Sequence, residues 1–136
     1  MVEVELVKII IDEKRQDQII VLKEKKGLRQ FPIVIGFLEA SSIKMKLSDI
    51  ETPRPMTHDI LVNIIDTLGA KMENLFIDRM ESGTFHAKIK LKMKNGEVKI
   101  VDSRPSDGIA VAVRTGAPIF VDEEVITKAT VTKTEQ

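Results

Sequence analysis

Thr84-Phe85-His86-Ala87-Lys88-Ile89-Lys90-Leu91-Lys92-Met93-Lys94-Asn95-Gly96-Glu97-Val98-Lys99-Ile100-Val101-Asp102-Ser103-Arg104-Pro105-Ser106-Asp107 decides the fold class of this chain. From Thr84 to Lys94 polar and apolar residues alternate, the period of a strand with one face covered. Asn95-Gly96 is a strong hairpin turn, so Lys99 to Asp102 returns antiparallel to the first strand. Pro105 suits a first helical turn, where its missing N–H costs nothing. Ile109-Ala110-Val111-Ala112-Val113 makes that helix apolar on every side, which predicts burial. Hairpins imply antiparallel pairing, so the expectation is α+β, a mostly antiparallel sheet with helices packed on it.

The flanking sequence repeats the theme. Val2 to Ile11 and Ile19 to Leu22 read as a hairpin across the charged turn Asp12 to Asp17. Phe31 to Ile35 is a short buried strand with Pro32 near its start. Gly36 opens a helix with Phe37, Ala40, Ile43 and Leu47 in one stripe. Leu75 to Met80 precedes the quoted hairpin as a further strand. A β-β-β-α unit therefore occurs twice, which predicts an internal duplication. Between the copies, Thr57 reads as the N-cap of a helix bearing Ile60, Leu61, Ile64, Ile65 and Leu68 on one face and ended by Gly69. Gly116 closes the last apolar helix, Pro118 to Val121 is a short strand, and Asp122 to Lys128 adds a helical turn. One domain over residues 1–130 and a polar tail over 131–136 are expected.

Lys+Arg and Asp+Glu both total 21, so no global field draws the protein to nucleic acid or membrane, and polyanion binding would need a local patch. Without cysteine there is no disulfide framework, thiolate zinc site or cysteine nucleophile. With no Trp or Tyr, base stacking would rest on five Phe or on arginine planes. The charged, alternating N-terminus is no signal peptide, and no apolar run would span a bilayer. A cytoplasmic location without membrane contact is the expectation. Abundant Lys with few Asn and Gln points to a thermophilic source.

Two segments resemble one another: Glu51-Thr52-Pro53-Arg54-Pro55-Met56-Thr57-His58-Asp59 and Asp102-Ser103-Arg104-Pro105-Ser106-Asp107. Each sets an arginine, a hydroxyl and carboxylates at a helix start, a place suited to an anion and equally to an ordinary cap. On the functional reading, His58, Asp59 and Asp107 are the catalytic candidates. Arg54, Arg104, Thr57 and Ser106 would bind phosphate. Asp59, Asp102 and Asp107 would hold a hard cation such as Mg²⁺ or Mn²⁺. Lys88, Lys90, Lys92 and Lys94 share one strand face, which fits a track for a nucleic-acid backbone, a solvated surface, or a charged edge. His86 falls on the same polar face and reads as solvent-exposed. Glu39, beside the apolar stripe of its helix, needs a cationic partner, and an arginine from either loop would serve. A helix of small residues and several sheet edges suggest a homo-oligomer, most simply a dimer.

Four motifs in order resemble one known family. Phe31-Pro32-Ile33-Val34-Ile35-Gly36-Phe37-Leu38-Glu39-Ala40 is similar to "PIxIGxxEA", and Pro53-Arg54-Pro55-Met56-Thr57-His58-Asp59 to "PRPxTHD". Asp102 to Ala110 resembles "DxRPSDAIA", and Ala117 to Val121 the ending "aPIfV". This is the bifunctional nuclease domain family. The resemblance covers about residues 1–130 and implies a compact α+β domain, self-association, and a nuclease acting on RNA and DNA. Metal assistance and the site residues above are readings of the motifs, and no organic cofactor is called for. The rival function is a non-catalytic domain holding an anionic ligand or a protein through the same Arg-Pro loops. Gly108 replaces the usual alanine, a change read from sequence as one of helix propensity.

Overall fold

The computed structural model describes the backbone of residues 1–134 and side chains through residue 130. Its strands are β1 (Val2–Ile10), β2 (Asp17–Glu24), β3 (Gln30–Gly36), β4 (Lys71–Glu81), β5 (Thr84–Lys92), β6 (Val98–Ser103) and β7 (Ile119–Val121). Its helices are α1 (Phe37–Leu47), α2 (Thr57–Thr67), α3 (Pro105–Thr115) and α4 (Glu123–Thr134). All seven strands join one sheet in the order β3-β2-β1-β7-β4-β5-β6. Only β7 with β4 is parallel, and the other neighbours are antiparallel. The fold is α+β, as the hairpin pattern predicts.

Two three-stranded meanders flank β7, and they run in opposite senses because β7 is antiparallel to β1 and parallel to β4. Each meander ends by feeding a helix, α1 after β3 and α3 after β6. The β-β-β-α order thus occurs twice. The counterpart of α3 is α1, so the Arg54 and Arg104 segments, which resemble each other in sequence, are not equivalent copies. The second helix, α2, belongs to neither unit.

Sheet twist curls the two limbs toward each other. Phe31 on edge strand β3 stacks on Phe85 of β5 with ring centroids 5.8 Å apart, although four strands separate them in the sheet. The hollow of the curl holds α3, whose Ile109, Ala110, Val111 and Ala112 are at most 1% exposed. Leu75 of β4 lies against it, and Ile77 of β4, Ile20 and Leu22 of β2, and Ile126 of α4 are fully buried in the same core. Burying each such aliphatic side chain contributes about 1.5–3 kcal/mol. Gly108 is there for packing as well as propensity: a Cβ at this position would stand 2.3 Å from Leu75 Cδ1 in the sealed core.

Three local readings shift. Thr57 opens α2 rather than capping it. The cap is Met56, whose N–H donates to Asp59 Oδ2 at 2.9 Å. The hairpin loop after β5 has three residues, because Met93 N–H donates to Glu97 O at 2.8 Å and Gly96 N–H to Met93 O at 2.9 Å; Gly96 takes the positive φ of 88°. Lys94 therefore sits in the loop rather than on the strand. At the C-terminus, α4 is a full helix rather than one turn and runs through Thr134; the last two residues of the expected tail lie outside the described residues.

Candidate active site

Sequence order delivers three helix starts to one place. α1 begins where β3 ends at Gly36, α2 begins after the Pro53/Pro55 loop, and α3 begins at Arg104-Pro105 with Arg104 as N-cap. A hollow of about 360 Å³ is lined by Leu38, Glu39, Ser41, Ser42 and Met45 of α1, by Met56, Thr57 and His58, and by Arg104 and Asp107. A second hollow, about 610 Å³, lies toward β6 and shares Thr57, His58, Arg104 and Asp107 with the first. Those four residues stand between the two. Both openings lie beside first-turn N–H groups, which favour an anion.

His58, only 7% exposed, is held from both sides. Its Nδ1 lies 2.7 Å from Ser42 Oγ and its Nε2 lies 2.8 Å from Asp107 Oδ1. The other Asp107 oxygen accepts from Arg104 Nε at 2.8 Å, and Arg104 Nη2 sits 3.2 Å from Glu39 Oε1. Glu39 thus finds the arginine its position called for. The Arg104 side chain stays 67% exposed, and its Nη1 has no protein partner among the described residues, so it can still receive a ligand oxygen. Burial pushes the Asp107 carboxyl upward, but the hydrogen bonds from His58 and Arg104 outweigh it and hold its pKa below the usual carboxylate range. The same bond to Asp107 raises the Arg104 guanidinium.

Asp59 faces a different partner. Arg114, from the last turn of α3, donates through Nε to Asp59 Oδ1 at 2.8 Å. Its Nη1 donates to Ala110 O at 2.9 Å, and its Nη2 to Ser42 O at 3.2 Å and Ser42 Oγ at 3.0 Å. The hydrogen bond from Arg114, reinforced by the Met56 N–H, keeps the Asp59 carboxyl below its ordinary pKa. Asp102, on β6, is bonded to Lys88 Nζ at 2.9 Å, which lowers the Asp102 carboxyl and raises the lysine.

The structure therefore brings His58, Asp107, Arg104 and Thr57 together; Asp102 lines the second hollow with Asp107, and Asp59 turns to Arg114. Asp59, Asp102 and Asp107 each face a different cation, and among the described residues no three His, Asp or Glu side chains converge as a metal site. The donors as arranged do not fit a bound divalent ion. Ser106 is buried, at 5% exposure, beside the gap between β3 and α3. Arg54 is exposed in the loop before α2 without an ion pair among the described residues. On β5, Lys88 lies between Asp102 and Asp78, and Lys92 is 4.0 Å from Glu73, so the lysine face alternates with acids. His86, half-buried on that face, lies 3.5 Å from Arg79 Nη2.

Ser42 and Arg114 are the site residues that sequence reading missed. Ser42 stands three residues after Glu39, on the same face of α1, and that spacing is the one signal it carried. Arg114 reads in sequence as an unremarkable cation at a helix C-terminus.

The profile of the bifunctional nuclease domain matches residues 20–134. The chain belongs to this family. An uncharacterized protein of Mycobacterium tuberculosis is 36% identical over 129 residues, covering 95% of this chain and 76% of its own. Bifunctional nuclease 1 of Oryza sativa subsp. japonica and bifunctional nuclease of Oryza minuta are each 30% identical over 109 residues, 78% of this chain. This chain spans only 33% of those plant proteins. No helix of the described residues is long and apolar enough to cross a membrane.

Proposed function

We propose that this chain hydrolyses phosphodiester bonds in RNA and DNA at the hollow where α1, α2 and α3 begin. One observation carries the reading. A histidine held by a carboxylate stands beside an exposed arginine on the wall of an open hollow that three helix starts line. Arg104 Nη1 and the neighbouring N–H groups would hold the phosphate and neutralise charge that grows in the transition state. His58 would carry the proton, with Asp107 fixing the ring. Exposed Arg54 would meet the flanking backbone. Kinship with proteins named bifunctional nucleases supports the substrate class.

The rival reading is architectural: the chain from Glu39 through Arg104 and Asp107 to His58 would simply lock three helices together. Cleavage of single-stranded RNA and DNA by highly purified protein, beside Asp107→Asn, separates the two. The catalytic reading expects the variant to keep its fold and lose activity. Equal cleavage by both proteins means a contaminant.

Self-association has a candidate face. α2 packs inward through Val62 and Ile65 and turns Ile60, Ile64 and Leu68 outward, each 46% exposed or more. Beside it lies β6, an open sheet edge bearing exposed Val98, Ile100 and Val101. A second copy would cover this patch and continue the unpaired edge.

A further inference from the structure

Ser42 is buried in mid-helix, where a serine usually returns its hydroxyl to the carbonyl one turn back. Here Oγ is committed to tertiary partners. Arg114 can only donate, so the 3.0 Å contact from its Nη2 makes Ser42 Oγ an acceptor. The hydroxyl has one proton, and His58 Nδ1, 2.7 Å away, is positioned to accept it. On the neutral ring that leaves the N–H at Nε2, which donates to Asp107 Oδ1 at 2.8 Å. Three partners thus fix the tautomer, and Ser42 is itself part of the wall of the hollow.

We propose that Ser42 is the nucleophile of this site, in a Ser42–His58–Asp107 relay with Arg114 steadying the oxygen. The arrangement has the logic of a nucleophile beside a base that a third group orients. It rests on the phosphodiesterase reading above. In the first step Ser42 Oγ attacks phosphorus, a phosphoseryl bond forms, and the bridging P–O bond breaks. His58 Nδ1 takes the hydroxyl proton and passes it to the departing oxygen. In the second step water attacks the phosphoseryl phosphorus, His58 takes a proton from that water, and Ser42 recovers it as its P–O bond breaks. The Arg114 guanidinium stabilises negative charge on Oγ in both steps. Asp107 acts through His58 and is a positioning residue. No redox partner is needed, and the products are one free hydroxyl and one phosphate monoester.

Two measurements test this on the full chain. A fluorophosphonate probe should label the native protein at Ser42, located by peptide mass, and labelling should slow at least tenfold in Asp107→Asn. An intact native protein whose Ser42 stays unlabelled overturns the relay. Cleavage of a phosphorothioate linkage of defined configuration in ¹⁸O water should proceed with retention, the mark of two displacements. Inversion, or Ser42→Ala cleaving within threefold of wild type, overturns Ser42 as nucleophile while leaving the nuclease reading standing. Labelling at Ser42 in a protein that cleaves no nucleic acid would instead sink the nuclease reading and keep the activated serine.

Discussion

The hollow at the helix starts and the lysine face of β5 are both charged, and both are places where sequence suggests nucleic acid. They are built differently. At the hollow, buried His58 is tied to Ser42 and Asp107, and Arg104 bridges Asp107 and Glu39, so each side chain's geometry is fixed by at least one other. On β5 the lysines meet exposed acids in pairs that solvent screens, so they contribute little. Interlocked charge can position a reacting group, whereas scattered charge can only tune attraction. Substitutions should separate the two regions.

The largest effect belongs to His58. Replacing it with alanine should cost about 10²–10⁴-fold in cleavage rate, the usual worth of a positioned acid–base group, read by single-turnover assay. Arg114→Ala should lower stability by about 1–3 kcal/mol, because it takes a donor from the buried Ser42 oxygens, while partly exposed Asp59 is rehydrated; urea unfolding measures it. Gly108→Ala should destabilise by about 1–3 kcal/mol through the clash with Leu75, despite alanine's better helix propensity. On the lysine face, Lys90→Ala should change KM less than about threefold and the salt slope by one phosphate contact at most. EDTA should leave cleavage within about threefold, since among the described residues no three His, Asp or Glu side chains converge; a loss beyond tenfold would mean that they regroup around an ion.

Acid offers a further contrast within the site. Asp59 and Asp107 both have folded pKa values below their unfolded ones, for the reasons given above. Each therefore binds its proton less readily when folded. Their stabilisation is complete above the ordinary aspartate pKa of about 3.9 and is lost as pH falls through the lower folded values. Melting temperature should accordingly drop on acidification below about pH 4, and less steeply in Asp59→Asn.

Sequence made much of the scaffold legible. Alternation and turn residues located all seven strands within a few residues, because a half-covered sheet imposes a two-residue period. The buried helix was readable from its apolar run. What failed was tertiary. The apolar stripe of α2 does not distinguish a face on the core from one left outside, and here most of it lies outside. The Arg54 and Arg104 segments are alike in sequence, yet topology pairs α3 with α1. His58, Asp107 and Arg104 drew attention because helix starts advertise themselves. Ser42 and Arg114 were not, since a mid-helix serine and a C-terminal arginine have ordinary local explanations, and their partners lie 16 and 55 residues away in sequence. Gly108 needed Leu75 to explain it, and nothing near it in the chain names that neighbour.

The most direct test of the central claim pairs two readings on one variant, Asp107→Asn, which keeps the side chain's shape and removes its charge. Cleavage of a single-stranded oligonucleotide should fall at least a hundredfold while the melting temperature drops by no more than about 5 °C, the shift expected for about 1 kcal/mol in a chain of this size. Wild-type cleavage by the variant, or collapse of fold and activity together, would contradict a catalytic hollow and leave these residues as braces between helices.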